Sequence, residues 1–182
     1  MKIAWGITGC GDRLEETYNL MKDLKNRFGA SLRIEVFLSK AALKVVKYYK
    51  LVEKLKSGFD AYTVEIDANS PFLAGRLQIG EFNAFIIAPA SSNTVAKIAT
   101  GISDTLITNS AIQAIKGFTP VYILPTDFQA GIVETILPNG SKLRLRIRSE
   151  DAENVKRLEG FEGITVIRET KKIEDIIVNF MT

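Results

Sequence analysis

The apolar run Ala84-Phe85-Ile86-Ile87 empties into a small, polar stretch, Pro89-Ala90-Ser91-Ser92-Asn93-Thr94. Helical apolar spacing then begins at Val95. This handover restricts the possible folds more than any other feature of the chain. An apolar strand without polar alternation needs cover on both faces, and helices supply it in a parallel sheet. Open α/β sheets bind ligands where such strands end. Free backbone N–H groups at a helix start favour an anionic or electron-rich group there.

The same unit recurs along the chain. Ile3–Ile7 reads as a first buried strand, and Thr8-Gly9-Cys10-Gly11 as a glycine-rich turn. Leu14, Tyr18, Met21 and Leu24 then lie on one helical face up to Gly29. Leu32–Leu38 is a second strand, and Ser39 leads into a helix over Ala41–Tyr49. Tyr62–Ile66 is a third strand. Asn69-Ser70-Pro71 reads as a cap with proline in the first turn of a short helix carrying Phe72, Leu73 and Ile79. The helix from Val95 stops near Gly101. Asp104 is read as the cap of the next helix (Leu106, Ile107, Ala111, Ile112, Ile115), which ends at Gly117. Pro120–Leu124 is a fifth strand, with Pro125-Thr126-Asp127 at its carboxyl end.

The pattern changes after that. Glu134–Leu137 and Lys142–Arg148 flank Pro138-Asn139-Gly140, where Asn-Gly signals a hairpin. Leu143, Leu145 and Ile147 alternate with Lys142, Arg144, Arg146 and Arg148. Ser149 is placed as the cap of a helix through Leu158, Ile164–Ile167 is a last strand and Ile173–Met181 a last helix. The expectation is an α/β fold: a three-layer, Rossmann-like or flavodoxin-like parallel sheet with helices on both faces and a late β-hairpin insertion. A length of 182 residues suggests one domain, 1–182.

Composition removes whole classes of chemistry. The chain has no histidine, so a Ser-His-Asp or Cys-His hydrolase is excluded. A metal site would have to rest on Cys10 and carboxylates, and none is expected. A single cysteine allows no internal disulfide, which is compatible with the cytoplasm. No signal peptide and no membrane span are expected. A net charge of +3 suits an acidic partner or an anionic ligand but is too small to argue for nucleic acid.

Several residues carry two readings. Thr8, Gly9, Cys10 and Gly11 read as a phosphate-approach turn or an ordinary tight turn, and the spacing is not G-x-G-x-x-G. Ser39 can be a helix cap, a phosphate donor or both. Lys97 lies one turn after Asn93, facing the same site or the helix surface. Asp104 reads as a cap rather than a catalytic acid. Lys44, Lys47, Lys50, Lys54 and Lys56 read as a solvated helix face. The basic row of the hairpin can be a protected edge or a docking face for an acidic protein.

At the central stretch, Pro89 through Leu106 resembles the P-x-S-x-N-T-x-x-K-x-A-x-G-x-x-D-x-L signature of the homo-oligomeric flavin-containing cysteine decarboxylases and their relatives. The resemblance covers roughly residues 1 to 126 and implies a flavodoxin-like or Rossmann-like fold that binds FMN. It implies cofactor contacts from Gly6, Thr8, Gly9, Cys10, Gly11, Ser39, Pro89, Ala90, Ser91, Ser92, Asn93, Thr94, Lys97, Asp104 and Thr126. Three departures separate this chain from the decarboxylases. Their catalytic histidine is missing from Gly75–Gly80. Their clasping Asn and Met are replaced by Pro125-Thr126-Asp127-Phe128-Gln129. Their cysteine flap has no counterpart, because Cys10 lies in the first loop.

Ala4–Glu16 and Arg146–Val155 look most like the archaeal flavoprotein branch, which includes dihydromethanopterin reductase (acceptor). That likeness implies electron transfer through FMN, from ferredoxin or a similar acidic donor to a small-molecule acceptor. It also implies a flavin at a subunit boundary of a trimer-based homo-oligomer. A decarboxylase or prenyl-transfer relative and a non-catalytic FMN-binding protein remain as alternatives. The sequence leaves the acceptor open among a pterin, a quinone, another flavin and a small protein, and it assigns no catalytic residue.

Overall fold

A computed structural model describes residues 1–137 and 139–181 of the chain. Six parallel strands form the central sheet: β1 (Lys2–Ile7), β2 (Arg33–Leu38), β3 (Ala61–Val64), β4 (Ala84–Ala90), β5 (Val121–Pro125) and β8 (Ile164–Val166). Their spatial order is β3-β2-β1-β4-β5-β8. Chain order therefore reverses direction between β1 and β4. The crevice at that reversal is where open α/β sheets bind ligands. The expected α/β fold with a parallel sheet is what the structure has.

Alternation along β1 explains the three layers. Ile3, Trp5 and Ile7 point to one face, where they meet α1 (Leu14–Phe28), α2 (Lys40–Tyr48), α3 (Val52–Gly58) and α8 (Lys172–Met181). Ala4 points the other way. There it packs with Phe85, Ile87 and the apolar stripes of α4 (Leu73–Gln78), α5 (Ser92–Thr100), α6 (Leu106–Lys116) and α7 (Ser149–Glu159). Each face buries a continuous apolar cluster, the dominant stabilising term. Trp5 is fully buried, and its Nε1 donates to Ala88 O at 2.7 Å, so no polar atom of the ring is orphaned.

The hairpin is present as β6 (Gly131–Ile136) and β7 (Lys142–Ile147), an antiparallel pair forming a separate two-stranded sheet. Of its expected Pro138-Asn139-Gly140 turn, Pro138 lies outside the described residues. Gly140 has φ 81, a left-handed conformation that glycine adopts without a Cβ penalty.

Several boundaries differ from the sequence reading, each for a local reason. The polar stretch is not a long loop. β4 runs on through the cis Ala88–Pro89 bond to Ala90, and α5 starts at Ser92 rather than Val95, so Ser92, Asn93 and Thr94 form the first helical turn. Ser91 is the true cap, its Oγ accepting from Thr94 N. Asp104 does not cap α6; Thr105 does, in a reciprocal capping box with Thr108. Ser149 is the first helical residue of α7, and Arg148 precedes it, with its N–H donating to the Asp151 carboxylate. Pro71 lies before α4 rather than inside its first turn, which begins at Leu73. The lysine row stays exposed but is split between α2 and α3, because Lys50 takes a left-handed φ of 56.

Candidate functional site

The carboxyl ends of β1, β2, β4 and β5 meet along one edge of the sheet, and Thr8 ties two of them together. Its backbone N–H and its Oγ1 both donate to Pro89 O, at 3.3 and 2.9 Å. The same Oγ1 accepts from Ser91 N at 2.8 Å. Thr8 is buried, so its hydroxyl holds the loop after β1 against the loop after β4 with both capacities used. Thr126 extends the seam by donating its N–H to Ala90 O at 3.1 Å. On the other side, Ser39 N donates to Ile7 O at 3.1 Å. The structure thus brings Thr8, Ser39, Pro89, Ala90, Ser91 and Thr126 together at one end of the sheet.

The glycines of the first loop serve close packing of the protein on itself. A Cβ at Gly9 would stand 2.6 Å from Ala41 Cβ, and one at Gly11 would stand 2.5 Å from Tyr49 Oη. A Cβ at Gly6 would press on Phe85 and Ile107 at 3.0 and 3.1 Å. Gly6 is therefore a core contact, and Gly9 and Gly11 let the loop lie flat on α2. Flatness leaves donors exposed. Among the described residues no acceptor takes the N–H of Gly9 or Gly11.

Ser39 is both a cap and a free donor. Its Oγ accepts from Ala42 N at 3.0 Å, and its hydroxyl hydrogen has no acceptor among the described residues. Glu65, just past β3, stands beside it. Its carboxylate accepts from Lys40 N at 2.9 Å and Leu106 N at 3.2 Å, joining the starts of α2 and α6. Sequence reasoning missed Glu65, since nothing local marks a carboxylate that caps two distant helices.

At α5, Ser91 Oγ and Thr94 Oγ1 are 3.1 Å apart and share one hydrogen bond, which leaves one of the two hydroxyl hydrogens to give. Asn93 is exposed, and its amide has no partner among the described residues. Ser92 Oγ donates to Asp127 Oδ2. Lys97 and Asp104 are committed to one another at 2.8 Å, which leaves neither charge uncompensated.

Cys10 is half-buried beside Thr8, its Sγ 3.6 Å from Oγ1. Burial pushes its thiol up to about 12, and Asp12 and Asp127 add to the effect. The shift keeps the proton on Sγ at ordinary pH and so disfavours a nucleophilic thiolate.

Beyond the loop, a cleft of about 420 Å³ lies between the sheet edge and the hairpin. Asp12, Arg13, Asp127 and Phe128 line it on the sheet side, and Val133, Thr135, Leu145 and Ile147 on the hairpin side. Arg13 has a left-handed φ of 60, a rare state for a non-glycine residue. There its guanidinium donates to Arg168 O at 2.7 Å and stacks over Phe128 at 5.3 Å. Burial pushes the Asp12 carboxyl above its usual range; Arg13 opposes this and the charge of Asp127 adds to it. The sequence reading named neither Asp12 nor Arg13 as a site residue. A strained position after a glycine turn leaves no signature in residue type.

The site therefore offers, along one edge, unpaired N–H donors (Gly9, Gly11), a hydroxyl donor (Ser39) and a free amide (Asn93), next to a half-apolar cleft. This donor set suits an anionic group attached to a planar, polar-edged ring.

Comparison with known proteins gives a consistent picture. The sequence model described as Flavoprotein matches residues 1–178. An uncharacterized protein of Methanocaldococcus jannaschii is 53% identical over 178 residues, 98% of this chain and 95% of that one. A dihydromethanopterin reductase (acceptor) of the same organism is 40% identical over 144 residues, 76% of this chain. This chain spans 58% of that reductase's length. Among solved structures, Burkholderia xenovorans DmrB in complex with FMN, described as a cubic protein cage for redox transfer, superposes with a TM-score of 0.82. It is 35% identical, with 99% of this chain and 94% of that one covered.

Proposed function

The chain belongs to the flavoprotein family, and on that premise we propose that it binds FMN and passes electrons as an oxidoreductase, from a reduced ferredoxin or similar acidic donor to a small acceptor of the dihydropterin class. The observation that carries the reading is the run of unpaired donors along the β1, β2 and β4 ends, next to a cleft large enough for a second ring.

The residues fit the cofactor. Gly9 and Gly11 N–H and the Ser39 hydroxyl would hold its phosphate. Ser91, Ser92, Asn93 and Thr94 would set the polar edge of its ring, and Pro89, Ala90 and Thr126 would shape the floor. Bound flavin supplies hydride and one-electron chemistry that no side chain here can supply. The protein's part is to orient, to exclude water and to tune the ring through hydrogen bonds. Lys97 and Asp104 take an indirect part, as a neutralised pair on α5. The FMN-bound relative is a cage, and the proposed flavin site likewise works within a trimer-based homo-oligomer.

The test is the spectrum of the purified protein, with the released cofactor identified by mass, followed by titration of apoprotein with FMN. FMN in near-stoichiometric amount is expected. Asn93→Ala and Ser91→Ala are each expected to weaken FMN binding by about tenfold or more, the loss of a hydrogen bond to a polar ring edge. Variants that hold FMN as tightly as the parent would overturn the site assignment, and a protein that refuses FMN would overturn the flavoprotein mechanism. Anaerobic mixing with reduced ferredoxin then tests the donor.

A further inference from the structure

The cleft under the hairpin has acid on one side and apolar surface on the other, and that combination selects among electron acceptors. Two carboxylates, Asp12 and Asp127, line its sheet side. Ser92 Oγ and Thr126 Oγ1, the latter at 3.3 Å, both donate to the same oxygen of Asp127, Oδ2. No donor among the described residues reaches Oδ1. The nearest cations make their hydrogen bonds elsewhere, Arg13 to Arg168 O and Arg148 to Asp151 at 2.6 Å, while their charges still act on Asp12 and Asp127 respectively. Opposite, the cross-strand pair Val133 and Leu145 and the neighbouring Thr135 and Ile147 present one flat face of the hairpin.

We propose that Asp127 is the specificity residue for the acceptor, its carboxylate reading the 2-amino group and adjacent ring N–H of a 2-amino-4-oxo-pyrimidine, as found in a pterin. The assignment rests on the electron-transfer reading of this site. An ionised carboxylate only accepts hydrogen bonds, and two parallel N–H donors are its best partner. A pterin edge presents that pair. The corresponding edge of a flavin has one N–H between two carbonyls, and a quinone presents carbonyls alone. Either would set oxygen against oxygen in a cleft whose lining already includes Asp12, Asp127 and Glu134, which is rejection by repulsion. The apolar hairpin face covers a planar ring without competing for its polar edge. The cleft volume of about 420 Å³ lies within the range of small-molecule sites.

The experiment compares 6-methylpterin with 6-methyllumazine, which differ in a 2-amino against a 2-oxo group. Binding is measured by calorimetry on the FMN-loaded protein, for the parent and for Asp127→Asn. The parent is expected to prefer the pterin by at least about twentyfold, because the lumazine leaves a carboxylate oxygen facing a carbonyl. Asp127→Asn is expected to reduce that preference below about threefold, with lumazine affinity unchanged within about twofold. Equal affinities in the parent, or a preference that survives in the variant, would overturn the assignment. So would an equal loss of both ligands, which would mean that Asp127 only holds Ser92 in place. A protein that binds FMN and accepts electrons from ferredoxin but shows no pterin preference loses this inference alone. A protein that binds no FMN loses the reading beneath it.

Discussion

Thr8 and Cys10 are two residues apart, and tertiary burial gives them opposite fates. The Thr8 hydroxyl has partners on both sides and ties β1 to β4. The Cys10 thiol has only weak hydroxyl contacts, from Thr8 and Thr126, and a neighbourhood of burial and carboxylates that holds its proton. With the thiol pushed to about 12 against about 8.5 for a free cysteine, its thiolate fraction at pH 8 falls on the order of a thousandfold. Alkylation by iodoacetamide at pH 8, followed by mass, is expected to be slower than in the urea-unfolded chain by a comparable factor. The sign for stability follows. The folded pKa is raised, so this contribution is fully present below the unfolded value near 8.5 and is lost as pH rises toward 12. Urea melts between pH 8 and 10.5 are expected to show a shallower alkaline loss for Cys10→Ser than for the parent.

Among the elements, α5 and α6 show how caps decide where functional side chains point. Moving the start of α5 from Val95 to Ser92 turns Ser92, Asn93 and Thr94 from loop residues into a first helical turn whose spacing is fixed. At α6, Thr105 and Thr108 cap each other while Asp104 pairs with Lys97 on the surface. Thr105→Ala is expected to cost about 1 kcal/mol in urea unfolding, the usual loss of a cap, whereas Asp104→Ala is expected to leave the midpoint unchanged within error. Glu65→Ala should cost more than Thr105→Ala, since it orphans the N–H groups of Lys40 and Leu106 together. These two caps were not legible in the sequence. Thr105 competes with a neighbouring Asp104 that looks the better cap, and Glu65 lies 41 residues from one of its partners.

Over the whole molecule, most of the large exposed apolar residues fall in two regions, the hairpin and the surroundings of α4 and α6. Ile66 (67% exposed) and Phe72 (69%) precede α4, Ile79 (80%) follows it, and Phe118 (93%) lies at the end of α6, which packs on α4. Single exposed apolar residues are ordinary, but a contiguous set marks an interaction surface. Within the proposed homo-oligomer, this α4–α6 side is the expected subunit contact. Sedimentation of the parent should therefore give a species several times the 20.2 kDa chain mass. The double variant Ile66→Asp, Phe72→Asp should shift it toward the monomer. A monomeric parent would sink the oligomer proposal.

The sequence by itself determined the layers of this protein and singled out the sheet edge proposed to hold the ligand. Continuous apolar runs and period-3.6 stripes are local, so Ile3–Ile7, Ala84–Ile87 and the stripe Leu14, Tyr18, Met21 and Leu24 declare strand and helix before any partner is known. The run Pro89–Thr94 singled out the proposed ligand edge from local signal too, because small hydroxylated residues at a strand end are unsuited to a core. Only the tertiary structure decided what each polar atom does there. Whether Ser39 still has a hydrogen to give, which oxygen of Asp127 stays open, and which glycines answer to Ala41 and Tyr49 rather than to a ligand all depend on neighbours distant in sequence. A hydrogen bond or steric contact needs two groups in place at once, and the second is set by topology, here the reversal of strand order between β1 and β4.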